Sequence, residues 1–432
     1  MNDPAPVAQK QRIDIFDSIR GVAVLGILLM NIPSMGYAVI GRDPFIFSEK
    51  GINYDIWFFN DWIVDGTQRA LFSMLFGAGI LLFMQNKSKQ ESAIPPADYF
   101  FRRQLWLIFF GLINIYIFLW HGDILFDYGV YGLIMFTFRL WNPQKLFAGA
   151  IVCLILMLAR ENRDLYLDKK LIARGEAIEK LDTTKAKLTV IQKDQLEDLQ
   201  AFRSKTKHEN RIQRVERGNV YMRNSYEHVY EFSVNWYLSN IISYSYFSIW
   251  DVLLFMFLGM AFFKRGILTG NGSFRLYAAM CIAGLGLGLL ISWYDINARI
   301  EAQFNWLEYT RHKTFAYFEA GRTLRTLGIF GLLMLMFKSG IFKWLFTLLR
   351  PVGQMAFTNY LSQSILAFTL FYGPGLSLFG KLQRYEIYMI AVGIWTAQII
   401  WSHLWLTYFR YGPFEWVWRQ LTYWSRLPLR RS

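Results

Sequence analysis

The chain has 432 residues, 54% of them hydrophobic, 18% aromatic and only 18% charged. A soluble protein of this length carries about a quarter charged residues. Here the apolar residues gather in long runs, so composition excludes an ordinary soluble fold and predicts an all-α, polytopic membrane helix bundle. In a soluble chain the net charge of +14 would suggest nucleic acid. In a membrane protein it is expected in cytoplasmic loops against anionic membrane lipid, and no nucleic-acid partner is expected.

In chain order, about ten spans are predicted, near 20–40, 62–84, 104–120, 123–141, 146–159, 246–263, 274–294, 314–337, 352–373 and 385–409. The segment "GIFKWLFTLLRPVG" between the eighth and ninth reads as interfacial or re-entrant. Residues 1–20 are polar and the first apolar run is too long for a signal-peptide core, so no cleaved leader is expected. Basic residues then set the sides: Lys10 and Arg12, Lys87 to Arg103, Lys145, Lys264 and Arg265, Lys338 to Arg350, and Arg419 to Arg431. All fall on one side if both termini are cytoplasmic, whereas the turn "WHGD" has no Lys or Arg and falls outside. Arg42 and Arg384 lie on the outer side, against this trend.

Residues 160–235 differ from the rest. They are rich in Lys, Arg, Glu, Asp and Gln, with no proline and two glycines. Ile178, Leu181, Leu188, Ile191, Leu196 and Leu199 recur near helical period, which predicts amphipathic helices. The chain therefore divides into a membrane half at 1–159, a charged helical extracytoplasmic insert at 160–235 and a second membrane half at 236–432. The insert reads either as a solvated hairpin or as a docking surface for a glycan, lipid or protein partner.

Polar groups inside a bilayer are costly, so each marks a candidate site. Asp17, Arg20 and Asn31 share one face of the first span. Asp17 and Arg20 are placed to pair, and Arg20 is alternatively a phosphate contact at a cavity mouth. Asp65 and Arg69 stand at ion-pair spacing in the second span, with Asp61 above them. His121 and Asp123 flank the "WHGD" turn, with Asp127 one turn further on; a His beside carboxylates suits general-base chemistry. Glu319 and Arg322 in span eight, with Arg325, and Asn359 and Gln363 in span nine, line a polar cavity or bind helices together. Gly284 and Gly288 read as close helix packing. The two cysteines, Cys153 and Cys281, lie in apolar runs and suggest no disulfide framework, and with no compact ligand set no metal is expected.

Several of these residues fall in recognisable stretches: "RIDIFDSIRGVAVLGILLMNI", "ALFSMLFGAGILLF", "HGDILFDYGVYGL", "PVGQMAFTNYLSQSIL", "YGPGLSLFG" and "FRYGPFEWVWRQLTY". Together they resemble the YeiB family of bacterial inner-membrane proteins, whose defining domain has no settled function. The insert is not part of the resemblance. The first helix is also similar to that of transmembrane acyltransferases of the heparan glucosaminide acetyltransferase and sugar O-acetylating types. These carry an Arg, ten residues, then His or Asn, which Arg20 and Asn31 match. The resemblance implies a cytoplasmic acyl-CoA donor and an extracytoplasmic acceptor. Asn31 stands where the sugar O-acetylating type has His, so the base is expected elsewhere: His121, oriented by Asp123, with Asn31 and Arg69 as donors to an oxyanion. That assignment requires His121, Asp123 and Arg69 to converge on one cavity with Asn31 in reach. The competing expectations are a transporter or flippase and a non-catalytic envelope protein recruiting a partner through its insert. A homo-oligomer is compatible with each.

Overall fold

The computed structural model describes residues 14–37, 43–46, 48–89, 94–181 and 187–431. Lys10, Arg12 and Arg42 lie outside the described residues. The architecture is an all-α membrane helix bundle.

The first half contains α1 (Asp14–Gly36), α2 (Ile52–Phe59) running into a π-helical turn (Asn60–Val64), α3 (Thr67–Ser88), α4 (Pro96–Tyr116), α5 (Leu125–Phe136) and the long α6 (Pro143–Glu179). Next come α7 (Val190–Thr206), α8 (His208–Met222) and the long α9 (Tyr226–Lys264). The rest is α10 (Phe274–Glu301), α11 (Trp306–His312), α12 (Phe318–Ser339), α13 (Lys343–Gln354), α14 (Ala356–Phe371), α15 (Arg384–Tyr408) and α16 (Pro413–Tyr423). Each of the ten expected spans falls on a helix. By length and hydropathy alone, six stretches of the described residues are able to cross a membrane: α1, α2–α3 together, α6, α10, α12 and α15. The fourth expected span is shorter than 123–141, because α5 gives way to turns at Thr137.

Backbone groups in an apolar bundle must be satisfied internally, and α1 shows how. Pro33 has no N–H to give the carbonyl of Leu29; the Tyr388 hydroxyl of α15 donates to it instead, at 3.0 Å. Glycines let backbones approach. A Cβ on Gly353 of α13 would lie 1.7 Å from the Asp17 carbonyl oxygen of α1, and one on Gly259 of α9 would lie 1.9 Å from the Met74 oxygen of α3. Gly284 and Gly288 of α10 meet α12 the same way, at Gly328 and Arg325.

The insert is not a separate hairpin. With no proline to stop them, α6 and α9 continue beyond the bundle and carry α7 and α8 between them. A capping box of Thr189 and Gln192 starts α7. Arg211 of α8 pairs with Asp43 and donates to the Phe304 carbonyl at 2.9 Å. Gly373, in the turn after α14, donates to the Met222 carbonyl at 2.8 Å. These contacts hold the insert on the end of the bundle opposite the start of α1.

Candidate functional site

Helices α1, α3, α4, α5, α13, α14 and α16 surround a cavity of about 240 Å³. Its mouth lies at the end where α1 begins and where α16 crosses the bundle. Arg20, Arg103 and Arg419 line this mouth, with Asn86 and Gln354. The Arg103 guanidinium stacks on the Trp418 ring at 4.2 Å, and the Trp418 indole donates to the Arg103 carbonyl at 3.0 Å. Arg20 pairs with Asp17 at 3.0 Å, while Asp17 Oδ2 is buried with no hydrogen-bond partner among the described residues. The Glu415 carboxylate is committed to structure: it accepts from the N–H groups of Phe357 and Thr358 at 2.7 and 3.0 Å. There it caps the start of α14, where the helix dipole favours an anion.

The walls behind the mouth are apolar, formed by Leu75, Phe76, Ile80, Leu107 and Phe357 among others. From Asn86 to Phe72, both lining residues, is fourteen residues of α3, about 21 Å at 1.5 Å per residue. At the inner end stand Tyr128 and Tyr360. The Tyr128 ring stacks on Phe72 and Phe76, and its hydroxyl meets Ser73 Oγ at 2.9 Å and the Arg69 carbonyl at 3.2 Å. The Tyr360 hydroxyl donates to Asp123 Oδ1 at 3.3 Å and accepts from the Ile124 N–H at 3.1 Å.

Asp123 lies in the turn between α4 and α5 and is almost fully buried. Asn114 Nδ2 donates to it at 2.7 Å and the Phe126 N–H at 2.8 Å. Burial pushes its carboxyl up to about 7, against the pull of the hydrogen bonds from Asn114, Phe126 and Tyr360. A carboxylate balanced near neutral pH, one hydroxyl from a cavity, is suited to exchanging a proton.

The other sequence-predicted residues are distributed differently. His121 packs against the rings of Trp120 and Trp236 at 5.1 and 4.4 Å and does not line the cavity. Burial brings its imidazole down to about 4, so it is neutral at pH 7. Asn31 is half-buried on α1 and is also outside the cavity lining. Arg69 turns to Asp251 of α9, which also takes Arg322 at 2.6 Å, and Arg322 Nε donates to Glu319 at 2.8 Å. Two arginines and two carboxylates thus form a buried, charge-balanced chain across α3, α9 and α12. Asp127 accepts from Ser248 at 2.6 Å. The Asp65 carbonyl accepts from Arg325 at 3.3 Å, and Asp61 pairs with Arg299 at 2.8 Å. Asn359 donates to the Val352 carbonyl and Ser402, and Gln363 to the Val24 carbonyl and Gln398. Those two amides bind helices together.

Sequence reasoning missed Arg103, Asn114, Tyr128, Asp251, Tyr360 and Arg419 as site residues. Asp251 was visible as a lone acid in "IWDVLLF", and Arg103 as one of a basic pair in "FRRQLW". Asn114 and Tyr360 carry no charge signal.

Comparison with known proteins matches residues 262–425 to the family described as "Protein of unknown function (DUF418)". The chain is 29% identical to the "Uncharacterized protein YxaH" of Bacillus subtilis (strain 168), covering 100% of this chain and 99% of the relative. It is 27% identical to the "Uncharacterized protein YeiB" of Escherichia coli (strain K12), covering 94% of this chain and 95% of the relative. The chain is thus similar to both relatives over nearly its whole length, and to the DUF418 model over its C-terminal part. The region matched to that model supplies one side of the cavity, with Tyr360, Glu415, Trp418 and Arg419; Arg20, Arg103, Asn114 and Asp123 come from the N-terminal half. No solved structure matches the chain.

Proposed function

We propose that the protein is an acyltransferase of the bacterial inner membrane, with both termini cytoplasmic and the insert outside, drawing on acyl-CoA. The observation that carries this reading is the cavity: three arginines at its mouth, an apolar interior and an ionisable Asp123–Tyr360 pair at its inner end. Arginine guanidinium groups suit phosphates, which they bind with paired donors. Arg20, Arg103 and Arg419 would hold the phosphates of coenzyme A at the cytoplasmic face, with the pantetheine arm along the apolar walls. The thioester would then lie near Tyr128 and Tyr360.

We place the base on Asp123 rather than His121, because Asp123 reaches the cavity through Tyr360. The acceptor, a hydroxyl of an envelope glycan, lipid or small metabolite, attacks the thioester carbonyl as its proton passes to Asp123. Collapse of the tetrahedral intermediate breaks the carbon–sulfur bond, and the proton moves to the departing thiolate. The Tyr128 hydroxyl, which donates to the Arg69 carbonyl in the absence of substrate, would turn its proton to the oxyanion. Arg69 supports this end through its backbone carbonyl. Asn31 has no step in this scheme, and no step uses a metal.

The test is acetyl-CoA binding to the purified protein in nanodiscs. Arg103→Ala and Arg20→Ala should each weaken it about tenfold, the loss of one charge-assisted contact. A wild-type protein that binds no acyl-CoA overturns the reading. The buried chain of Arg69, Asp251, Arg322 and Glu319 favours a second reading, a transporter or flippase, since such intramembrane charges also mark solute and proton routes. Binding of a lipid phosphate in place of acyl-CoA would support it.

A further inference from the structure

Between the arginines of the mouth and the tyrosines of the inner end, the cavity wall carries two polar side chains: Glu415, whose carboxylate is taken up by Phe357 and Thr358, and Gln104. Gln104 of α4 lines the cavity and is 1% exposed. Its Oε1 has no hydrogen-bond partner among the described residues. The amide lies against α5 and α3: a Cβ on Gly132 would stand 2.7 Å from Gln104 Oε1 and 3.1 Å from the Phe76 ring. That fixes its depth at the level of Phe76, ten residues from Asn86, or about 15 Å along α3 from the mouth.

An amide oxygen buried without a partner pays its desolvation cost and gains nothing for the fold. Leucine would fill the same space at no such cost. At a site lined by phenylalanines and leucines, the partner has to come from what fills the cavity: water when it is empty of ligand, or a hydrogen-bonding group of a bound molecule that displaces it. Its shape follows from the wall: anionic groups at the arginines, a hydrogen-bonding group about 15 Å further in, and apolar stretches between. A prenyl or fatty chain behind a phosphate is hydrocarbon at that depth and leaves Gln104 unsatisfied. The arm of coenzyme A carries amides along its length, each offering both an N–H and a carbonyl to a glutamine amide.

We propose that Gln104 is a specificity-determining residue that pairs with an amide of the pantetheine arm, selecting an acyl-CoA against a hydrocarbon-tailed phosphate. This rests on the acyl-CoA reading above. The experiment compares wild type, Gln104→Leu and the volume-matched Gln104→Met in nanodiscs. The probes are acetyl-CoA, adenosine 3′,5′-bisphosphate, which has the phosphates but no arm, and farnesyl phosphate, which has a hydrocarbon tail. Folding is checked by thermal melting. The expected result is about a tenfold loss of acetyl-CoA affinity in both variants, with the bisphosphate unchanged and farnesyl phosphate unchanged or bound more tightly. Wild type that binds acetyl-CoA, with variants that keep that affinity, overturns the role of Gln104 and leaves the acyl-CoA reading standing. An equal loss for all three probes makes Gln104 a packing residue and overturns the proposal. Wild type that binds farnesyl phosphate but not acetyl-CoA overturns both.

Discussion

Replacing Asp123 by Asn should change activity and stability in opposite directions, and that combination separates a working base from a packing residue. Burial moves the carboxyl from 3.8 to about 7 in the folded chain. At about 1.36 kcal/mol per pKa unit, this makes ionised Asp123 cost the fold about 4 kcal/mol. The folded value is raised, so its contribution to stability is fully present below pH 4 and is lost as pH climbs to about 7. The amide of Asp123→Asn carries no charge at any pH, and rotation of the Asn114 amide lets its unpaired Oδ1 accept the new N–H. The variant should therefore match wild type near pH 4 and be more stable above pH 7, by up to about 4 kcal/mol less the cost of imperfect hydrogen bonds. Melting of detergent-solubilised protein from pH 4 to pH 8 reads this as a wild-type curve that falls and a variant curve that stays flatter. Turnover of acetyl-CoA in envelope vesicles, followed as free thiol, should rise with pH through 7 in wild type. It should drop about 10²–10⁴-fold in the variant, while His121→Gln keeps most of it. A stability difference that does not change with pH refutes the raised carboxyl. Full turnover in Asp123→Asn refutes its use as a base.

Three further outcomes follow from the packing and the charge distribution. Asp251→Asn leaves Arg69 and Arg322 with their shared carboxylate gone, which should cost about 3–5 kcal/mol; a loss below about 1 kcal/mol in thermal or denaturant unfolding would mean the chain of charges is hydrated. Gly353→Ala drives a methyl into the Asp17 carbonyl and should cost about 1–3 kcal/mol, measured the same way, with acetyl-CoA affinity falling as Asp17 and Arg20 shift. Single cysteines at Lys187 and Lys89 should label oppositely in whole cells with an impermeant thiol reagent; labelling at Lys89 alone reverses the orientation.

The sequence by itself determined the class of fold and the position of its membrane helices. Hydropathy is a local property, and an apolar run of about twenty residues has few ways to bury its backbone other than as a helix. It likewise exposed the charges that had to find partners, including Arg20, Arg69 and Arg322, since a charge in an apolar run is visible without knowing its neighbours. Partner choice was local only in part: Arg20 meets Asp17 and Arg322 meets Glu319, each three residues away. Arg69 reaches Asp251, 182 residues away, a partner its own helix does not reveal, because α9 crosses α3 closely where Gly77 and Gly259 let the backbones approach. The site turned on the same kind of fact. His121 and Asp123 are two residues apart, but the turn directs one toward tryptophans and the other toward Asn114 and Tyr360. Only tertiary packing brought Arg20, Arg103 and Arg419, from three distant segments, to one cavity mouth, and only packing left the amide oxygen of Gln104, a lining residue, without a partner among the described residues.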